Sequence, residues 1–429
     1  ISGGTGGGGT GSDIWFSGTG TNSAKLLIGN VASGDASVAE GGISGEGNYP
    51  TNAIGMSSHA EGIGTLANGE GSHAEGIITE ANGNYSHAEG QNTEANDNWA
   101  HSEGYSTIAN GRASHAEGGN NQVDGDYAHV EGQFNEVTGD TAHAEGKYTK
   151  AYGNFSHAEG SYTEALANAA HAEGNGSIAS GGAAHAEGSG TKATNTNAHS
   201  EGEVTEANGA ASHAEGRDTK ANNTASHAEG VQTLASGLYS HAEGNQTVAY
   251  GQAGHAEGFQ TSGGTYSHAE GYKTQANGLY SHSQGSRSEA NGNASFAGGI
   301  SAKVESSAGF VFGNNNTLEN TAFNSAILGG SNIIGTASNT TYVPKLNIDE
   351  LPANASVKTL GLDADGNVVE STNPPGSGDV SKVGTPINNQ VGVWTGNGTL
   401  EGTNGLTWDG DKMLIAGQVS TQLIGLGGV

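Results

Sequence analysis

Small and polar residues recur along most of this chain in a fixed order. The recurring unit reads Ser-His-Ala-Glu-Gly-x-x-Thr-x-Ala-x-Gly-x-x, where the x positions vary freely. Because alternate residues of a strand share a face, His and Glu lie on one face of the first segment and Ser, Ala and Gly on the other. Glycines and Asn-Gly pairs predict tight turns between segments. Each unit therefore predicts two short strands and two turns, and many such units in succession are typical of a solenoid.

The histidines mark the phase of this repeat. The chain has 17 histidines, spaced 14 residues apart with a single interval of 13. All but the last carry a glutamate two residues later, and the last carries a glutamine. The resulting ladder consists of His59, Glu61, His73, Glu75, His87, Glu89, His101, Glu103, His115, Glu117, His129, Glu131, His143, Glu145, His157, Glu159, His171, Glu173, His185, Glu187, His199, Glu201, His213, Glu215, His227, Glu229, His241, Glu243, His255, Glu257, His268, Glu270, His282 and Gln284.

The small residues predict which face points into the coil. The residue before each histidine is Ser, Ala or Gly, and the residue after it is Ala or Ser, except for Val130. A solenoid two strands wide has room for little more than Ala, Ser and Thr between its sheets. We therefore predict that the small residues form the interior and that the histidines and glutamates point outward.

The outward face is expected to be an interface. Other exposed positions differ from copy to copy, whereas His and Glu hardly vary. This favours packing against identical copies around a symmetry axis, with three His and three Glu per layer and layers about 4.7 to 4.9 Å apart. Each Glu would then accept a hydrogen bond from a neighbouring imidazole. The alternative is a free polar ribbon that faces solvent.

Apolar versions of the repeat bracket the polar array. After the last histidine, Phe296 and Phe310 keep the 14-residue phase, and a valine replaces the histidine in an early degenerate copy. These turns predict an apolar continuation of the interface. The candidate apolar seam consists of Val38, Phe296, Phe310 and Phe312.

Composition narrows the class of protein. Glycine contributes 76 of 429 residues and apolar residues only 33%, which is too little for an ordinary globular core. The absence of cysteine excludes disulfides, thiol catalysis and cysteine-ligated metals. A formal charge of −30 argues against nucleic acid or an anionic membrane as a partner. No apolar run approaches the roughly 20 residues of a membrane span, so no membrane insertion is expected.

The repeat resembles that of the YadA-like heads of trimeric adhesins, whose motif reads Ser-Val-Ala-Ile-Gly followed by x-x-Ala-x-Ala-x-Gly. Residues 37–41, Ser-Val-Ala-Glu-Gly, are intermediate between that motif and the histidine repeat, and residues 325–329 lie close to the adhesin form. The resemblance covers roughly residues 22–335. It implies a left-handed parallel β-roll and a homotrimer in which the Val and Ile positions face the other subunits. Here His and Glu occupy those positions, which departs from a dry interface.

A second pattern follows residue 345, in residues 346–348, 357–369, 392–396 and 407–410. These segments are similar to tail-fibre segments of bacteriophages, particularly those infecting Bacteroidetes. The resemblance implies an extracellular virion protein whose partners are other virion tail proteins and a host cell-surface receptor.

The expected fold is all-β, a left-handed parallel β-roll with turns of about 14 residues, homotrimeric and followed by small β-rich fibre modules. The expected order is a Gly-rich lead-in (1–21), degenerate β-roll turns (22–57), the regular array (58–292), apolar β-roll turns (293–341), a β-hairpin fibre module (342–372) with its turn at 363–366, a linker (373–378) and a C-terminal β-rich fibre segment (379–429) that is expected to continue further.

The periodic His and Glu residues also suggest metal or catalytic chemistry. Three His or three carboxylates on a threefold axis could bind an ion, since imidazole suits zinc, nickel or iron. Seventeen near-identical layers argue against one dedicated site, and no nucleophile elbow, H-E-x-x-H motif or P-loop is present. We therefore expect a structural ladder with no cofactor and no enzymatic activity, with an ion on the axis as the alternative. A further hypothesis is that Glu raises the histidine pKa, so that stabilisation is lost as pH rises through it.

Aromatic residues two positions before the histidine are candidate glycan contacts, because exposed rings stack on sugars. The alternative is that they cover the edges of the roll or the subunit seam. The candidates are Tyr85, Trp99, Tyr127, Phe155 and Tyr239; further rings lie after the repeat glycine, as at Tyr148 and Tyr162.

Together these features predict the structural and adhesive shaft, or the receptor-binding part, of a phage tail fibre. The alternative of the same class is the head of a bacterial trimeric autotransporter adhesin. More distant alternatives are an ice-binding solenoid, suggested by the threonine column from Thr65 to Thr274, and a glycan-depolymerising spike.

Overall fold

The computed structural model describes residues 16–25, 29–41 and 49–345, together with strands between residues 360 and 415. The chain divides into two compact units, with the boundary between Pro344 and Lys345.

The first unit is an all-β parallel solenoid of about 22 turns with a repeat of about 14 residues. Each turn contributes one long strand and one short strand. Successive long strands pair in parallel and in register, so that His87 lies opposite His101 and Glu89 opposite Glu103. Successive short strands do the same, as where Ala95 lies opposite Ala109. Each position of the motif therefore forms a column along the solenoid, which confirms the predicted all-β, 14-residue solenoid.

The long strands begin at the histidine position, and most contain five residues. They are Ala24–Lys25, Val38–Glu40, His59–Ile63, His73–Ile77, His87–Gln91, His101–Tyr105, His115–Gly119, His129–Gln133, His143–Lys147, His157–Ser161, His171–Asn175, His185–Ser189, His199–Glu203, His213–Arg217, His227–Val231, His241–Asn245, His255–Phe259, His268–Tyr272, His282–Ser286, Phe296–Ile300, Phe310–Asn314, Ala326–Ser331 and Thr341–Tyr342, and Phe16–Ser17 pairs antiparallel with the first of them.

The short strands contain two residues each, and the second residue points inward. They are Val31–Ala32, Asn52–Ala53, Leu66–Ala67, Glu80–Ala81, Glu94–Ala95, Ile108–Ala109, Gln122–Val123, Glu136–Val137, Lys150–Ala151, Glu164–Ala165, Ile178–Ala179, Lys192–Ala193, Glu206–Ala207, Lys220–Ala221, Leu234–Ala235, Val248–Ala249, Ser262–Gly263, Gln275–Ala276, Glu289–Ala290, Lys303–Val304, Thr317–Leu318 and Ile334–Gly335.

The interior consists of the small residues, as predicted. The alanine columns of both strands are fully buried, and so are the serines before the histidines and the threonines before the short strands. The serine also closes its own turn, since the Ser86 hydroxyl donates to the carbonyl oxygen of Gly83 at 2.7 Å. The narrow coil therefore explains why Ser, Ala and Thr recur at these positions.

The single 13-residue interval does not disturb the register. His255 lies opposite His268, and Glu257 lies opposite Glu270. The missing residue falls in the corner between Ser262–Gly263 and the next long strand, where other turns have one residue more. The corner absorbs the deletion, so the columns of the long strands continue unbroken.

Asparagine replaces threonine in the interior of a few turns and forms hydrogen bonds there. The Asn135 amide donates to the carbonyl oxygen of Glu131 and to that of Gly146 at 2.8 Å, and its oxygen accepts from the Thr149 backbone N–H at 2.8 Å. This side chain therefore joins its own turn to the next.

Replacing Asn135 with leucine is expected to destabilise the solenoid by about 2 to 3 kcal/mol, because one buried N–H and two carbonyls lose their partner. Asn135→Thr, which restores the usual residue of the column, should lose less. Thermal unfolding followed by circular dichroism compares the two variants. Equal melting temperatures for Asn135→Leu and the parent chain would contradict a stabilising role for the Asn135 hydrogen bonds.

The second unit contains two small sheets. Leu360–Leu362 pairs antiparallel with Val368–Glu370, as the predicted hairpin requires. Gln390–Trp394 and Met413–Ile415 pair antiparallel with Thr399–Trp408, and Ser381–Val383 pairs parallel with it. The predicted turn at residues 363–366, the linker at 373–378 and residues 1–15 of the lead-in lie outside the described residues. None of the described residues forms a helix long and apolar enough to cross a membrane.

Candidate functional site: a histidine and glutamate face

The histidines form one continuous stack along the outward side of the long strands. Ring centroids of successive histidines are 4.6 to 4.9 Å apart from His59 to His282. The planes are within 14° of parallel except for the last pair, His268 and His282, which are tilted by 35°. The stack follows directly from the register, since parallel strands place identical residues one strand spacing apart.

The glutamates form a second column beside the histidines, without hydrogen bonds between the two. In most turns the histidine Nε2 lies 3.5 to 4.0 Å from a carboxylate oxygen of the same turn, as in His101 and Glu103 at 3.5 Å and His185 and Glu187 at 4.0 Å. A hydrogen bond between nitrogen and oxygen spans about 2.7 to 3.2 Å. Within one chain the contact is therefore electrostatic, and no imidazole-to-Glu hydrogen bond forms there. The predicted hydrogen bond between neighbouring chains stays a prediction.

The Nε2 atom is covered in every layer. In all the histidines from His59 to His282 this atom is buried, and no group in the described part of the chain forms a hydrogen bond with it. A buried polar atom without a partner costs roughly 1 to 3 kcal/mol. The column thus contains a row of ring nitrogens that the chain itself both covers and leaves unpaired.

Burial lowers the pKa of the histidines that respond most strongly to this environment. Loss of hydration is the largest cause and repulsion from a neighbouring histidine is the second, while the nearby glutamates oppose both. The direction is opposite to the sequence-based hypothesis that Glu raises the histidine pKa. The histidines with a lowered pKa are His73, His101, His115, His129, His143, His157, His171, His185, His213, His241, His255 and His282.

The parallel stacking of the histidine rings restricts metal binding within one chain. Groups such as His87, Glu89 and His101 offer ligand atoms within 4.8 Å of one another. Two nitrogens on one zinc ion are at most about 4.2 Å apart, because each Zn–N bond is about 2.0 to 2.1 Å. The rings of His87 and His101 are nearly parallel with centroids 4.8 Å apart, so they cannot both bind one ion without tilting.

The apolar seam continues the same two columns. Val38 lies opposite His59 and Phe296 opposite His282. Phe310 stacks on Phe296 with ring centroids 4.6 Å apart, and Phe312 lies in the glutamate column. Together with Phe310 it is exposed.

Sequence reasoning missed two members of this face. Glu40 lies opposite Glu61, and its carboxylate is 3.9 Å from Nε2 of His59. Leu328 lies opposite Phe312 and is exposed. Counting in steps of 14 residues would miss both, because Glu40 lies 21 residues before its partner Glu61 and Leu328 lies 16 residues after its partner Phe312. Aligning the five-residue motif finds both, because each holds the glutamate position of a degenerate copy.

The candidate glycan contacts lie at the corner just before the long strands. Tyr85, Trp99, Tyr127, Phe155 and Tyr239 are exposed by 54 to 68%. Tyr85 and Trp99 stack with centroids 6.3 Å apart, but the others are separated by two or more turns. The five rings are thus brought to one edge and not to one site.

The opposite corner, just after the long strands, carries a denser aromatic group. Phe134, Tyr148 and Tyr162 stack in consecutive turns with centroids 5.0 and 4.9 Å apart. The sequence reading singled out Tyr148 and Tyr162 but not Phe134 or the stack. Spacing by 14 residues was the available signal.

The fold and this face define a parallel β-solenoid repeat protein with one continuous stacked histidine column. No protein-family model matches the chain, and no curated protein matches it. Any narrower assignment rests on the residues of the chain themselves.

Proposed function

We propose that this chain is the structural and adhesive shaft, or the receptor-facing part, of a phage tail fibre, and that it trimerises through the histidine and glutamate face on a threefold axis. The observation that supports this most is the exposed apolar row of Phe310, Phe312 and Leu328, which continues the histidine and glutamate columns of the same face. Apolar side chains exposed in a row mark interaction surfaces. A neighbouring chain packed on this face would cover these apolar side chains and the part of each imidazole ring that one chain leaves exposed.

The mechanical part of the role follows from the regular stack. One strand spacing per turn makes the histidine layers alone a rod of roughly 80 Å. The proposed setting is extracellular, on the virion, with other tail proteins and a host cell-surface receptor as partners. The threonine column is buried inside the roll, so this column cannot contact ice.

Oligomeric state tests the proposal. Multi-angle light scattering on the purified chain should give the mass of three copies of the 42.7 kDa chain, and electron microscopy should show rods. A stable monomer at micromolar concentration would overturn the trimer and with it the proposed axis.

Phe312→Arg should convert the trimer largely to monomer, because three guanidinium groups would be buried close to the axis without partners. Phe323→Arg is the matched control, since Phe323 and Phe312 are both 50% exposed but Phe323 lies outside the two columns. Light scattering on both variants gives the answer. Equal masses for the two would mean that the apolar seam is not the subunit contact.

A further inference from the structure

A gap interrupts the corner column that contains the aromatic stack. At the second position after each repeat glycine, nearly every turn carries a side chain, and the backbone there is left-handed, as at Tyr148 and Tyr162 with φ of 57°. Gly176 and Gly190 are the only two consecutive turns between residues 59 and 342 with no side chain at this position. A Cβ added at Gly176 would meet no atom within 4 Å. The surface therefore has an opening two turns long.

The opening has an aromatic wall on one side. Tyr162 forms the end of the stack begun by Phe134 and Tyr148, and it is the most exposed of the three rings. Its far side faces the glycine turns. Val204 bounds the opening three turns further on, so the positions of Tyr162 and Val204 are about 14 Å apart at one strand spacing per turn. A ring stacked on Tyr162 would lie about 4.5 to 5 Å from it, which the opening accommodates with room to spare.

Short polar side chains border the opening. Ser161, Asn175 and Ser189 end the three adjoining long strands, where other turns carry larger residues such as Lys147 and Arg217. None of the three side chains forms a hydrogen bond within the described part of the chain, and those of Asn175 and Ser189 are exposed. Hydroxyl and amide groups can both donate and accept.

We propose that this opening, bounded by Tyr162, Gly176, Gly190 and Val204, is a binding site for a neutral sugar ring of a surface glycan. A pyranose has one apolar face, which suits stacking on Tyr162, and a rim of hydroxyls, which suits Ser161, Asn175 and Ser189. The formal charge of −30 and the carboxylates of the adjoining strands disfavour sialylated or uronic sugars. The inference rests on the proposed adhesive function and gives it a ligand class and a place.

The chain itself shows how to close the opening without disturbing the fold. Gln232, Gln246 and Gln260 occupy the same column with φ of 53 to 56°, and their amides are joined from turn to turn at 2.9 and 2.6 Å. The double variant Gly176→Gln, Gly190→Gln should therefore fill the opening with a column that the protein already builds elsewhere. Tyr162→Ala removes the wall instead.

The test begins with the full chain on an array of neutral, sialylated and uronic oligosaccharides, with basic and aromatic peptides alongside. Calorimetry then measures the tightest neutral ligand. Both the filled variant and Tyr162→Ala should lose at least about tenfold in affinity, the order expected from losing one stacked, buried ring. Tyr105→Ala is the matched control, because Tyr105 is 53% exposed and Tyr162 59% and Tyr105 lies four turns away, and its affinity should stay within about twofold of the parent chain.

Several outcomes would overturn the inference: no neutral sugar bound, binding only of anionic sugars or peptides, binding retained when the opening is filled, or an equal loss in Tyr105→Ala. Melting curves of the filled variant check that the solenoid is intact. A trimeric rod that binds no sugar here would leave the proposed fibre role standing, whereas a sugar-binding monomer would overturn the trimer and leave this site.

Discussion

Gly160→Ala is expected to be among the most damaging single substitutions in the solenoid. Gly160 has φ of +112°, a conformation that residues with a Cβ rarely adopt. A Cβ there would also lie 2.1 Å from the carbonyl oxygen of Gly174 in the next turn. That oxygen belongs to a strand that is paired on both sides, so moving it away from the added Cβ would disrupt backbone hydrogen bonds. The backbone conformation and the steric clash together should cost about 3 kcal/mol or more.

Gly182→Ala provides the control for this prediction. A Cβ at Gly182 would have no atom within 4 Å, so the same chemical change should be nearly neutral. Because each turn of a solenoid contacts only its neighbours, damage at Gly160 should be local, with new protease cleavage near residues 160–174 as well as a lower melting temperature. Equal melting and cleavage patterns for the two variants would contradict the geometry of this column.

The same column shows why the sequence predicted the fold so well. The repeat glycine is present in every turn from Gly62 to Gly299, with φ between 99° and 121°. Three local properties of the repeat are visible in the sequence. They are the 14-residue period, the inward-facing Ser, Ala and Thr, and a glycine at a position where the backbone has positive φ. Parallel pairing in register then follows from the repeat, because it aligns each Ala with the next.

The chemistry of the histidine face was harder to predict. The sequence places a glutamate two residues after the histidine, which favours a hydrogen bond and a raised pKa. In the structure His157 and Glu159 point in the same direction from one strand, and Nε2 and the carboxylate oxygen remain 3.9 Å apart. Burial of the imidazole, together with repulsion from His143, outweighs the nearby carboxylates and lowers the pKa of His157. The direction of the histidine pKa shift depends on the balance between burial and the glutamate charge, and the spacing of residues in the sequence does not reveal that balance.

The gap beside Tyr162 is hard to predict from the sequence for a different reason. Aromatic residues mark a candidate ligand site by their presence, whereas this site is defined by the absence of side chains at Gly176 and Gly190. Glycine in a Gly-rich chain carries little information by itself. Only the φ values, shared with Tyr148 and Gln232, show that these two glycines stand where other turns have side chains.

Acidification below about pH 6.5 is expected to destabilise the solenoid strongly. Twelve histidines have a folded-state pKa below the ordinary value of about 6.5, with burial as the main cause. Between their folded and unfolded pKa values the unfolded chain binds more protons, so stability rises with pH. The stability is therefore fully present above about pH 6.5 and is lost as pH falls below it. Melting temperatures from pH 8 to pH 5 should fall only in the lower half of this range, above the ordinary titration of the carboxylates.

Two measurements distinguish repulsion between histidines from burial as the cause of this acid sensitivity: the salt dependence of melting and a comparison of trimer with monomer. Repulsion between protonated rings about 5 Å apart should weaken in 1 M salt, where the Debye length is about 3 Å, whereas the cost of burying a charge should remain. A melting temperature that rises on acidification would instead require the glutamates to dominate. If the histidine face is also the trimer seam, two further chains bury each ring more deeply. The parent trimer should then lose stability more steeply with acid than the Phe312→Arg monomer, and equal slopes would place the histidines away from the subunit contact.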